Sequence, residues 1–445
     1  MKNLTINTDR LLSELHHLAT LTDCPPNTDA SLPEPTQAVT RIVFTPRDLE
    51  ARAWLKKLAT DAGFQVREDA VGNTFLRWEG SSPELPLVGT GSHVDAIPHS
   101  GMYDGTVGVL GGLEAMRALK EGGFEPRRSI ELLLLTSEEP TRFGIGCLGS
   151  RLLGGVLDPD TADAYPDRLP ETDPNAPKGL TLQQVRTAAG FQGSLADVKL
   201  PSGYYHAWVE LHIEQGPLLE REHIDLGIVT NIAAPASYRY TIQGFGGHAG
   251  ALLMPDRRDA LCAAAEFILA VERFALEANA SAKLAGQSGV DTVATIGTVA
   301  VYPGAVNSVP SRVTLMLDIR DTDVARRDGI MTALHAEIKR LETQRGVTIT
   351  QEFINADQPA VSAPHILKAL EEVCREEGAT WKPMVSQLVK LKGVTSLFNS
   401  SHPLASQILS ANSRGVYRFP LASFGHPSFA LTTLSDSIPN RKLLQ

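Results

Sequence analysis

Cysteine is scarce in this 445-residue chain: the four present, Cys24, Cys147, Cys262 and Cys374, lie far apart and form no C-x-x-C pair. That excludes a disulfide framework or a structural zinc ribbon, and the thiols are expected to be reduced. Long apolar runs are also missing. The longest, such as Leu132–Leu135, fall far short of the roughly 18 residues that a membrane-spanning helix needs. A basic surplus is absent too, since 41 Lys and Arg face 51 Asp and Glu for a formal charge of −10. The electrostatic footprint of a nucleic-acid binder is therefore not there, and neither nucleic acid nor membrane is an expected partner. The first residues, MKNLTINTDRLLSELHHL, have helical amphipathic spacing without an apolar signal core or a small-residue cleavage site, which reads as a soluble, cytoplasmic protein. No internal repeat or low-complexity tract occurs.

What is present has the pattern of an α/β protein. The length suggests two to three domains at about 150 residues each. Helical periodicity covers Asp9 to Ala19 and PRDLEARAWLKKLATDAG, where Gly63 is a stop signal. FQVRED, NTFLRWEG and LPLVGTGSHVDAI follow as strands, TVGVLGGLEAMRALKEGG as a helix and RRSIELLLLTSEE as a buried strand. From about Leu226 the order becomes strand, long helix, two strands, helix, strand, which reads as an inserted α+β domain over 226–355. It separates a first catalytic part, 1–225, from a second, 356–445.

Several strand ends carry chemistry. His93 and Asp95, two apart on an expected strand, would share a face, so that Asp95 fixes the tautomer of His93 while its other nitrogen meets a metal. Asp104 follows on the loop PHSGMYDG, where a carboxylate has room to bridge two cations. Glu138 and Glu139 come directly after an apolar strand. Adjacent carboxylates repel unless cations or protons relieve them, and a turn would let Glu139 ligate while Glu138 moves a proton. His212 in VELHIEQGPLLE lies at a third strand end, with Gln215 three residues on as an amide for substrate. His, Asp, Glu and His together suit a pair of divalent cations. In the inserted segment, His248 sits on a glycine-rich turn, Asn307 between two prolines, and Arg320 on the strand face of Asp318, where it is suited to bidentate capture of a carboxylate. Gly244-x-Gly246-x-x-Ala249 imitates a dinucleotide fingerprint, but MPDRRDA separates it from the next helix.

GTGSHVDAIPHSGMYDGTVGVLGGLEA, LLTSEEPTRFGIGCLGSRLL, LHIEQGPLLE, GGHAGALLMPDRRDA and YPGAVNSVPS with DIRDTD resemble, in order, the dinuclear-metal amidohydrolases. That family includes the ureidoglycolate and allantoate amidohydrolases, N-carbamoyl-L-amino-acid hydrolase and β-ureidopropionase. EEPTRFGI, SHVDAIPHSG and TNIAAPAS are most similar to its ureidoglycolate branch. The resemblance implies a catalytic domain with a mixed central sheet flanked by helices, interrupted by a smaller dimerisation and lid domain, in a homodimer. It implies two divalent metal ions per subunit, manganese before zinc. One would be held by His93, Asp104 and His212, the other by Asp104, Glu139 and a C-terminal histidine. Glu138 would be the general base, with Asp95 and His248 also in the catalytic set. Gln215, His248, Asn307 and Arg320 would contact a small ureido substrate, with His248 also stabilising the oxyanion. Allantoate or an N-carbamoyl amino acid are alternative substrates, and an endoplasmic-reticulum location is the alternative address.

After Ser386 the resemblance stops. The expected His-Asp motif is missing, and His402 and His426, the histidines that follow His365, have neither an adjacent aspartate nor a strand context. The segment 387–445 reads as an alternative ending or a shifted reading frame. The expectation is a catalytic sheet without its last strands, or an inactive dimeric relative without its last metal ligand.

Overall fold

A computed structural model describes residues 4–25, 38–286, 292–386 and the backbone of 406–411. The chain divides into two compact units, the first built from residues up to Thr230 and again from Val361, the second from Asn231–Ala360 together with the stretch from Met384.

The first unit opens with helix α1 (Thr8–Thr20), capped by the Asn7 side chain, strand β1 (Val39–Arg41) and helix α2 (Pro46–Asp61), started by a proline in its first turn. Strands β2 (Gln65–Glu68) and β3 (Thr74–Trp78) form a hairpin. Strand β4 (Leu87–His93) is buried along its whole length, β5 (Ala96–Ser100) pairs back onto β1, and helix α3 (Thr106–Glu121) follows. Strand β6 (Ile130–Leu135), helix α4 (Leu148–Leu153), and strands β7 (Tyr205–Ile213) and β8 (Leu226–Ile232) complete this part of the chain. The all-apolar run of β6 suits a strand covered on both faces, which is the usual state of parallel neighbours. β4 runs parallel to both β6 and β7, whereas β3 and β2 are antiparallel.

The second unit is a four-stranded antiparallel sheet covered by two helices, with its own core of Tyr240, Phe267, Leu315, Leu317, Leu334 and their neighbours. Its strands are β9 (Ala234–Gln243), β11 (Val293–Tyr302), β13 (Arg312–Asp321) and β14 (Thr348–Ala356), in the order β11-β13-β9-β14. The short strands β10 (Gly247–His248) and β12 (Ser308–Val309) pair separately. Helices Ala260–Leu284 and Val324–Arg345 cover the sheet, each begun by an aspartate whose carboxylate accepts two N–H groups of the first turn. The second unit begins at Asn231, within β8, which pairs in the large sheet.

The chain returns through β15 (Ala360–Val361), an amphipathic helix Pro364–Glu377, β16 (Trp381–Ser386) and β17 (Ser406–Ala411). The large sheet has the order β15-β8-β17-β7-β4-β6-β3-β2, with β16 on β8. The expectation of a catalytic sheet without its last strands is corrected at one place: β17 lies parallel to β7 and antiparallel to β8, filling the slot between them. Backbone groups left open in such a slot are satisfied by any extended main chain, whatever its side chains. His402 and His426 lie outside the described residues. Among the described residues, no helix is long and apolar enough to cross a membrane.

Candidate metal centre

The carboxyl ends of β4, β6 and β7 lie side by side, where an open α/β sheet places its ligands. β4 ends on His93, buried to 1% exposure. On the next strand His212 is equally buried, and just before them Ser92 of β4 donates to Glu210 of β7 at 2.7 Å. Each imidazole turns its Nδ1 to a main-chain carbonyl, Asp95 O at 2.9 Å for His93 and Ile213 O at 2.6 Å for His212. A carbonyl only accepts, so Nδ1 carries the hydrogen and Nε2 offers its lone pair.

Asp104 stands opposite, in the turn before α3. Its Oδ1 lies 3.1 Å from His212 Nε2 and 3.8 Å from His93 Nε2. Ligand atoms of His93, Asp104 and His212 all fall within 4.8 Å of one another, a set that could hold one divalent ion. The residue after Asp104 has to be glycine: Gly105 has φ +68°, and a Cβ there would lie 2.5 Å from the His93 ring. Gln215, itself at φ +54°, donates to the other oxygen of Asp104.

The paired glutamates leave β6 through a turn whose hinge is Ser137 at φ +53°. Glu138 is buried and puts Oε2 3.7 Å from His93 Nε2, while Glu139 is half-buried. Asp95 lies beyond the end of β4, so the shared strand face expected for it and His93 does not form. Its carboxylate stays 3.7 Å from His93 Nδ1 and instead accepts the N–H groups of Glu138 at 3.3 Å and Glu139 at 3.0 Å. It thus meets both the imidazole and the turn. Burial disfavours its charge, yet His93, the Glu139 N–H and the Arg52 guanidinium together hold its pKa below the ordinary carboxylate value.

Two buried cations beneath the site escaped sequence reasoning. Arg41 donates to Val94 O at 2.8 Å and to the carbonyls of Leu18 and Leu21; burial lowers its pKa to about 10, which still leaves it charged at neutral pH. Arg52 pairs with fully buried Asp48 at 2.9 Å and donates to Gly72 O and Thr136 Oγ1, one residue before the Ser137 hinge. The i, i+4 spacing of Asp48 and Arg52 on α2 was a readable signal of an ion pair; its place under Asp95 was not.

His248, Asn307 and Arg320 belong to the second unit. The first two are neighbours there: His248 pairs with Ser308, and Ala249 N–H donates to Asn307 O at 2.8 Å. His248 is exposed, and its Nδ1 accepts the Gly250 N–H at 3.1 Å, so its Nε2 bears the hydrogen. Arg320 donates to Asp318 at 2.7 Å on the half-exposed face of β13. His93, Asp104, Glu138, Glu139, His212, Gln215 and Asp95 therefore share one sheet edge, and the remaining three form a separate set.

Comparison with known proteins places the chain in a family. The model of peptidase family M20/M25/M40 matches residues 89–390. The chain is 42% identical over 390 residues to ureidoglycolate hydrolase of Arabidopsis thaliana, covering 86% of this chain and 76% of that one. It is 43% identical to ureidoglycolate hydrolase of Oryza sativa subsp. japonica, with 86% and 74% covered. Allantoate amidohydrolase of Escherichia coli strain K12 is 29% identical, with 79% and 81% covered. The crystal structure of AtUAH in complex with glyoxylate superposes with a TM-score of 0.79 at 38% identity over 99% of this chain and 98% of that one. A second AtUAH crystal structure, in complex with (S)-hydroxyglycine, has the same TM-score and identity.

Proposed function

Since this chain belongs to peptidase family M20/M25/M40, we propose that it is a metal-dependent hydrolase that cleaves the ureido C–N bond of (S)-ureidoglycolate. The products are glyoxylate, ammonia and carbon dioxide, in purine catabolism. The observation that carries this reading is the meeting of His93 Nε2, Asp104 Oδ1 and His212 Nε2 beside Glu138, in a chain so similar to two ureidoglycolate hydrolases.

His93, Asp104 and His212 would hold one divalent ion, and Asp104 and Glu139 would serve a second; manganese is the preferred metal and zinc the alternative. When bound, such ions supply Lewis acidity that makes water a nucleophile near neutral pH and steadies the developing oxyanion. Glu138 takes the proton of the attacking water and passes it to the departing amine. Water adds to the carbamoyl carbon, the C–N bond breaks, and the amine leaves as hydroxyglycine. Hydroxyglycine loses ammonia to give glyoxylate, and the carbamate loses ammonia to give carbon dioxide. Asp95 keeps the Glu138–Glu139 turn in place. Gln215 orients Asp104 and substrate, Asn307 and Arg320 receive the substrate carboxylate, and His248 donates from Nε2 to the oxyanion. The protein works in the cytoplasm as a homodimer whose second unit provides the dimer contact.

The deciding experiment gives the purified, manganese-loaded protein (S)-ureidoglycolate, allantoate and an N-carbamoyl-L-amino acid in parallel. Glyoxylate and ammonia released fastest from ureidoglycolate, with both activity and metal lost in Asp104→Ala, is the expected result. Faster turnover of allantoate, or an Asp104→Ala protein that keeps metal and activity, overturns it.

A further inference from the structure

Cys147 has no part in the proposed chemistry, yet its thiol is buried against the carboxylate that performs it. Sγ lies 3.6 Å from Glu138 Oε1. The main chains are zipped together as well. Cys147 N–H donates to Glu138 O at 2.8 Å, Leu148 N–H to Ser137 O at 3.0 Å and Gly149 N–H to Thr136 O at 2.9 Å. Cys147 precedes α4 in a left-handed conformation, φ +59°, and its side chain makes no capping bond to that helix. The thiol is directed to Glu138 instead, whose two oxygens are thereby divided: Oε1 faces Cys147, and Oε2 faces His93.

We propose that Cys147 is a positioning residue for Glu138, its S–H holding Oε1 so that Oε2 points at the donor cluster. A thiol suits the task because it is a weak donor. A guanidinium or ammonium at this place would fix the carboxylate but also bind its charge strongly, and a proton carrier must remain willing to accept. The left-handed backbone and the thiol serve together, the first bringing the residue beside the Ser137 hinge and the second reaching the carboxylate. This inference rests on the reading of Glu138 as the proton carrier.

The test compares Cys147→Ala, Cys147→Gly, Cys147→Ser and Glu138→Gln, each loaded with manganese, for kcat, KM and metal content with ureidoglycolate. Ala and Gly should both lower kcat about 10- to 100-fold, the scale of a misplaced reacting group, with KM and metal content unchanged. Ser, which keeps a donor, should restore most of kcat. Glycine separates the side chain from the backbone, because it favours the left-handed conformation; a merely conformational role would leave Cys147→Gly as active as the wild type. Wild-type kcat in Ala or Gly, metal loss in either, or no recovery in Ser, while Glu138→Gln is inactive, overturns the role of Cys147 alone. Wild-type kcat in Glu138→Gln overturns the reading of Glu138 itself.

Discussion

The candidate residues of the two units are held in opposite ways. In the first unit the imidazoles of His93 and His212 are buried, each fixed to one tautomer by a main-chain carbonyl, and the turn bearing Glu138 is clamped by Asp95 from one side and Cys147 from the other. In the second unit His248 is exposed on a two-residue strand and Arg320 is half-exposed beside Asp318. Burial fixes geometry at the expense of desolvation; exposure leaves a side chain free to meet a substrate. On the proposed reading, metal retention and proton transfer fall to the first set, and capture of the substrate carboxylate to Asn307 and Arg320 of the second.

The strongest challenge to this division is Glu138→Gln. It should keep metal while kcat falls about 10²- to 10⁴-fold, the usual contribution of a general base; stopped assays alongside metal analysis would read both. Next comes Arg52→Met, which leaves Asp48 buried without its cation. Removing one partner of a buried pair costs about 3–5 kcal/mol, so the midpoint of urea unfolding should drop clearly, and a midpoint equal to the wild type would deny the buried cations their supporting role. Arg320→Ala should act in the opposite manner. KM should rise about 10- to 100-fold, as for a lost hydrogen bond to a charged group, with kcat and the unfolding midpoint little changed; a kcat effect without a KM effect would dissolve the contrast. The smallest effect belongs to Asp318→Asn, since exposed ion pairs contribute about 0–1 kcal/mol, and thermal unfolding should scarcely register it.

The parts that were legible in the sequence are those governed by local rules. Apolar periodicity outlined β4, β6, α2, α3 and the long helices, and the polar residues directly after the apolar runs marked His93, Glu138, Glu139 and His212. Asp95 was placed wrongly because β4 stops two residues earlier, and a face rule fails once the strand ends. Arg41, Arg52 and Cys147 were invisible for a different reason: they stand on β1, on α2 and just before α4, and meet residues after β4 and β6 that are distant in sequence. The strand Ser406–Ala411 was missed because its place is set by unpaired main chain, which carries no residue signature.

That strand also bears on how the protein is made. β7, which ends in the His212 ligand region, gains its outer neighbour only when the chain has passed through the whole second unit and reached Ala411. A pairing so remote in sequence forms late, after the second unit and its local antiparallel sheet can already have condensed. A sheet that forms before this segment joins it has one bare flank, for which foreign extended segments would compete.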